Sequence, residues 1–253
     1  MIPGSKFRLA ALTASVLLLI SACGGDDSPS SNADPQGAYA GTLSGGNGNK
    51  FELLMLEDGS YWALYGDESA GTFFVSGFIE GSGAVSGATF TSSNARDFGT
   101  DPSTPGSVSA SVKQGESISG TARFGSQTVS FSGTTAAVAP YDYNQPAQLT
   151  DIAGRWTLSM LTGETAGVTI SDKGAIAGFS SGGCAFTGSI APRPSGKNVF
   201  NLSVTFGSVP CALPGQKADG VALSSLTAAG KRQLIVATVD ASRQYGTAGF
   251  GTR

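Results

Sequence analysis

The sequence predicts an all-β protein built as two tandem, small, antiparallel eight-stranded meander barrels, with paired β-sandwiches as the alternative. Three observations carry that expectation. Charged residues make up only 13% of the chain, glycine supplies 37 of its 253 residues, and the stretches between glycines are rich in β-branched and aromatic residues, as in half-buried strands. No heptad or long 3.6-residue period occurs, so little helix is expected. The chain also repeats itself weakly. Gly37-Ala38-Tyr39-Ala40-Gly41-Thr42-Leu43 returns as Gly154-Arg155-Trp156-Thr157-Leu158, and Leu53 to Tyr61 returns as Val168 to Ile176. Both copies close alike, on Ser130-Phe131-Ser132-Gly133-Thr134 and Gly249-Phe250-Gly251-Thr252.

Eight strands are read in each copy. In the first they are 38–44, 51–57, 60–66, 72–80, 84–91, 107–113, 117–124 and 127–134. In the second they are 154–162, 165–171, 174–180, 184–191, 198–207, 218–225, 231–240 and 245–251. Short Gly-rich connections suit antiparallel neighbours, and eight strands of this length close into a small barrel filled by side chains. A sandwich uses the same alternation. Between the copies, Ala139-Pro140-Tyr141-Asp142-Tyr143-Asn144-Gln145-Pro146 carries prolines that interrupt a ladder. The expected division is therefore an N-terminal β-domain over 37–137, a linker over 138–150 and a C-terminal β-domain over 151–253.

The two copies differ at one hairpin. A three-residue turn Asp172-Lys173-Gly174, with Gly in the left-handed conformation, places Ile170 opposite Ile176 and leaves Val168 and Ile170 on a single core face. In the first copy Phe51, Leu53, Met55 and Tyr61 would form the matching face, yet Leu54, Leu56, Trp62 and Leu64 make the other face apolar too. A two-residue Asp58-Gly59 turn would instead swap the aromatic partners between the faces, with Leu54 and Leu56 on the second face in both registers. A strand apolar on both faces must be covered. The cover is either the second domain or a partner protein, and these four residues are the candidate interface.

The amino-terminal 23 residues say where the protein works. Lys6 and Arg8 precede an apolar run from Leu9 to Ile20, too short to span a bilayer comfortably. Ile20-Ser21-Ala22-Cys23 follows. This stretch resembles the signal peptide and lipobox of bacterial lipoproteins. The resemblance implies removal of residues 1–22, diacylation of Cys23 and acylation of the new amino terminus, palmitate among the chains. Several acyl chains hold far better than one. Gly24 to Gln36, rich in Gly, Ser, Asp and Pro, reads as a flexible tether over 23–36. With Gly24 rather than aspartate after the cysteine, the resemblance points to the outer membrane. The protein is thus expected to be exported and lipid-anchored in the cell envelope.

Two of the 15 basic residues lie in that leader, against 18 acidic residues in the remainder. This mild acidity, without a basic stripe, argues against nucleic acid as a partner. Cys184 and Cys211 remain as a pair, and in an exported protein a disulfide is the default. Two cysteines in a chain without histidine cannot complete a zinc shell, so no metal and no cofactor is expected.

The same lack of histidine excludes Ser-His-Asp and Cys-His catalysis. Gly178-Phe179-Ser180-Ser181-Gly182 fits G-x-S-x-G, but it falls at a strand end rather than on a strand-to-helix elbow. The acid pairs Glu57/Asp58 and Asp67/Glu68 sit beside turn glycines and read as surface residues. No catalytic residue is assigned. Two loops remain open to binding: the connection from Phe90 to Gly106, and Ala191 to Asn198, where Arg193 and Lys197 could meet an anionic group.

Gly154, Trp156, Cys184, Pro192, Gly196, Lys197, Asn198 and Cys211 together resemble a pattern of uncharacterised proteobacterial lipoproteins with two Gly-rich β-domains, a family without an established activity. In layout alone the chain is similar to surface lipoproteins that present paired β-domains to host proteins, such as transferrin-binding and factor-H-binding proteins. The expected function is a membrane-anchored binding or scaffolding module with an envelope or host protein as partner. The alternatives are a lipocalin-like carrier of a small apolar ligand, or a purely structural envelope protein. A cavity of a few hundred Å³ would favour the carrier.

Overall fold

The computed structural model describes residues 32–253 except Ala139; the lipobox, Cys23 and most of the expected tether lie outside the described residues. The first sheet contains β1 (Gly37–Ser44), β2 (Lys50–Met55), β3 (Ser60–Ser69), β4 (Thr72–Ser82), β5 (Ala84–Ser86), β6 (Thr89–Asp97), β7 (Thr104–Lys113), β8 (Ser117–Phe124) and β9 (Gln127–Thr134). Its order is β4-β3-β2-β1-β9-β8-β7-β6-β5, and pairing of β4 with β6 at Ile79–Asp97 and Glu80–Arg96 closes it. The ring therefore has eight staves, with β5 a short strand attached to β6. The second sheet runs β10 (Gly154–Met160), β11 (Thr165–Ile170), β12 (Ala175–Ser180), β13 (Ala185–Pro192), β14 (Phe200–Phe206), β15 (Lys217–Leu226), β16 (Arg232–Asp240) and β17 (Gly246–Thr252). These eight form a closed antiparallel barrel in sequence order. Closure removes the free edges that a sandwich would leave.

The hairpin registers follow from turn chemistry. Ile170 pairs with Ile176 and Met55 with Tyr61, and both turns end on a left-handed glycine, Gly174 at φ +80° and Gly59 at φ +79°. Such a φ is open to glycine without a Cβ clash. Each barrel is plugged at the end where its first strand begins. In the second, the short helix α1 (Leu149–Ile152) sets Ile152 fully inside, and the Trp156 indole N–H donates to the Ile152 carbonyl at 2.6 Å. The Arg253 guanidinium lies 4.1 Å over the Trp156 ring, a cation–π contact that covers the plug. In the first barrel Tyr39 stands where Trp156 stands, and its hydroxyl donates to the Pro35 carbonyl at 3.0 Å.

Three expectations need correction. The strand expected over 84–91 is two strands, β5 and β6. The supposed long connection from Phe90 to Gly106 is mostly strand, leaving only 98–103 between β6 and β7. Alternation is hidden there because an inward position is polar. Ser92 is buried and accepts the Tyr61 hydroxyl proton at 3.0 Å, and the register shifts between Ser92 and Ala95. The last part of the expected tether, 32–36, is docked on the first barrel: the Ala33 N–H donates to the Gly87 carbonyl at 2.8 Å, and Ala33 packs against the first core.

Candidate functional site

The inward faces of the two barrels are filled differently. In the first, Tyr39, Phe51, Tyr61, Phe90 and Phe124 are buried around Leu53, Met55 and Ile118. Phe51 meets Phe131 edge-on at 5.6 Å and Tyr61 meets Phe90 at 5.7 Å, the favoured geometry for aromatic pairs. The void left over is about 90 Å³. Burial pushes the Tyr61 phenol up to about 12, beyond the opposing effect of its bond to Ser92. Tyr65 is raised by burial and by the Asp97 carboxylate that accepts its proton at 2.7 Å. This is a core.

The second barrel is hollow. Its cavity measures about 1060 Å³, at the upper end of the roughly 300–1,000 Å³ typical of ligand pockets. Leu158, Val168, Ile170, Ile176, Leu202 and Leu234 form its walls and floor. Thr162, Glu164, Gly182, Gln216 and Gln244 line it at the other end and are exposed, so the cavity reaches the surface. The rim is composite, because 98–101 of the first barrel also line the cavity. The Cys184–Cys211 disulfide ties the β12–β13 turn to the β14–β15 loop, and Cys184, Pro210 and Leu213 belong to the lining. The bridge thus staples the mouth.

The four candidate interface residues lie between the barrels. Leu54 and Leu56 are 4% and 1% exposed and pack with Tyr143, Val199 and Val221. Trp62 lies against both this cluster and a second one, where with Leu64 it backs Phe78, Phe98, Ala237 and Ala248. Phe78 stacks on Phe98 at 4.6 Å and 5°, and both rings press on the Gly246 backbone, where a Cβ would lie 2.8 Å from Phe98 and 2.9 Å from Phe78. Glycine is required there for close approach.

Polar clamps flank this contact. Arg193 donates to Glu57 at 2.7 Å and to Asp58 at 2.6 Å. Lys197 donates to Asn144 at 2.8 Å and lies 5.5 Å from the Tyr143 ring centroid, while Asn198 donates to the Asp142 carbonyl at 3.0 Å. The loop 191–198 is therefore engaged with the first barrel and the linker rather than free for an anion. Arg243, at φ +55°, donates to Glu80 at 2.7 Å and to the Asn94 carbonyl at 2.8 Å. Ser103 donates through its N–H to the Gln244 carbonyl at 2.9 Å and through its hydroxyl to the Arg243 carbonyl at 2.6 Å.

Ser180 ends β12 as an inward residue, and its hydroxyl accepts the Cys184 N–H at 3.3 Å. It belongs to the cavity wall. Among the described residues no group of His, Cys, Asp and Glu side chains could hold a metal ion. The cavity itself escaped sequence reading, although the repeat held its signal. Phe51 and Tyr65 pair in the first barrel where Ala166 and Ser180 pair in the second.

Fold and site together define a tandem pair of eight-stranded antiparallel barrels, one solid and one hollow, locked side by side. No family model and no curated protein matches the chain. A solved structure of a protein of unknown function from the DUF3598 family of Nostoc punctiforme aligns with 13% sequence identity and a TM-score of 0.28, covering 86% of this chain and 94% of that chain. A score that low transfers neither architecture nor activity.

Proposed function

We propose that this protein is an exported, lipid-anchored carrier that holds a small apolar molecule in its second barrel. The observation that carries this reading is the open cavity of about 1060 Å³ with aliphatic walls. An eight-stranded barrel has just enough interior to be filled by side chains or to hold one small ligand. Here the choice falls on the ligand side, since water in such a chamber meets few hydrogen-bonding groups and an apolar guest replaces it favourably. Anchoring at Cys23 rests on the lipobox, and export agrees with the Cys184–Cys211 disulfide. We assign the protein a binding role without catalysis. A scaffolding role would need a surface other than Leu54, Leu56, Trp62 and Leu64, which are occupied by the second barrel and the linker.

The test is titration of the purified chain with N-phenyl-1-naphthylamine, a neutral probe that fluoresces in apolar surroundings. One saturable site is expected in the wild type. Ala166→Phe with Ser180→Tyr, which rebuilds the first barrel's pair inside the second, is expected to remove it while unfolding stays cooperative. Uptake unchanged by this double substitution would reject the carrier.

A further inference from the structure

The chemistry at the mouth narrows the class of ligand, an inference that rests on the carrier reading above. Among the described residues lining the cavity none is a lysine or arginine, and the chain contains no histidine. The charged residues of the lining are Asp101 and Glu164, both acidic and both exposed at the rim. Nearby cations are engaged elsewhere: Arg243 with Glu80 at 2.6 Å, and Lys217 with Asp219 at 2.9 Å. An anionic head entering this mouth would lose hydration, meet no positive partner and face two like charges.

Polar groups of another kind are present. Ser180 and Thr238 are 7% and 6% exposed and both line the cavity. They stand near the mouth ends of β12 and β16, which are opposite staves of the eight-stranded ring. The Ser180 hydroxyl accepts the Cys184 N–H and keeps its own proton for a guest. Below this level the lining is apolar, with the Phe186 ring beside Gly178 and aliphatic side chains down to Ile170 and Ile176.

We infer that the second barrel selects a neutral amphiphile, an apolar chain ending in an uncharged hydrogen-bonding group such as an alcohol, over the same chain ending in a carboxylate. The chain fills the aliphatic depth. The head lies at the level of Ser180 and Thr238, where an alcohol can bond either hydroxyl without the desolvation that a carboxylate suffers.

Displacement of bound N-phenyl-1-naphthylamine by 1-decanol and by decanoate, in one buffer at pH 7.5, tests this on the full mature chain. Decanol is expected to displace the probe at a concentration at least fivefold lower. A smaller ratio, or one favouring decanoate, overturns the inference. Ser180→Ala with Thr238→Val is expected to weaken decanol at least threefold, and a cooperative denaturant transition like that of the wild type reports that the variant is folded. An unchanged decanol affinity in that variant removes the two hydroxyls from the site. The carrier reading fails separately: there the probe itself is not taken up by the wild type.

Discussion

The two barrels share a backbone plan and differ in what they enclose. In each, the second and third strands pair in the same register, so their inward layers can be compared directly. Met55 faces Tyr61 where Ile170 faces Ile176, Leu53 faces Ala63 where Val168 faces Gly178, and Phe51 faces Tyr65 where Ala166 faces Ser180. In these two strands each layer of the second barrel carries the smaller side chains, and the difference is greatest toward the mouth. It is only partly offset where Leu158 replaces Gly41 opposite that last layer. The result is about 90 Å³ of void in one barrel and about 1060 Å³ in the other. A closed ring of eight strands is thus neither a core nor a container by itself. Inward residue size decides.

Substitutions can break that contrast or sharpen it. The largest effect is expected where the barrels depend on each other. Leu54→Ser with Leu56→Ser strips the contact with Val199 and Val221, and each large-to-small change in a core costs about 2–5 kcal/mol. A combined loss of about 4 kcal/mol or more is expected in denaturant unfolding, and a loss below about 1 kcal/mol would mean that the barrels stand independently.

Next comes the solid barrel against the hollow one. Phe90→Ala, at a site 1% exposed, is expected to cost about 3–5 kcal/mol. Leu202→Ala, on the cavity wall, is expected to cost only about 1–2 kcal/mol, because that side chain already lacks contacts on its inner side. Equal losses would show the second barrel packed like the first. Replacing Cys184 and Cys211 with serine is expected to cost about 3–4 kcal/mol in the chain-entropy model, as measured by thermal unfolding.

The smallest effect concerns pH. Burial alone would raise Asp58, but hydrogen bonds from Ser60 and the Arg193 guanidinium outweigh it and hold the carboxyl below its ordinary range. A lowered folded-state value gives stability that is present above the ordinary aspartate range, near pH 4, and lost as pH falls through the folded-state value. Glu80 is moved the other way. Burial raises it despite Arg243, so its contribution is greatest when protonated and declines as pH rises through its folded-state value. Arg193→Met is expected to lower stability at pH 7 by less than about 1 kcal/mol, since Asp58 is largely exposed, and to reduce the further loss on going to pH 3. Glu80→Gln is expected to leave stability at pH 7 unchanged or slightly higher. Thermal midpoints of the two variants across pH 3–7 check both signs.

Much of the fold was legible in the sequence. Period-two alternation and left-handed turn glycines are local signals, and they carried the meander, the register of the second-copy hairpin at Ile170 and Ile176, and the apolar second face of the 51–65 hairpin. Segment 92–97 was not legible, because Ser92 points inward and finds its partner, Tyr61, across the ring. Arg193 and Lys197 looked free for the same reason. Their partners Glu57, Asp58 and Asn144 are distant in the chain. The cavity lay between these cases. Inward positions were readable from alternation, but a volume depends on summing side chains over eight strands whose registers come from pairing. Comparing Ala166 and Ser180 with Phe51 and Tyr65 would have exposed it.

Photolabelling addresses the contrast most directly. A decanol analogue bearing a diazirine midway along its chain, irradiated with the full mature protein and mapped by mass spectrometry, is predicted to mark inward residues of the second barrel such as Leu158, Val168 and Leu234. Labels on Phe51, Phe90 or Phe124 inside the first barrel, or scattered over outer surfaces without saturation, would contradict a division into one solid and one hollow barrel.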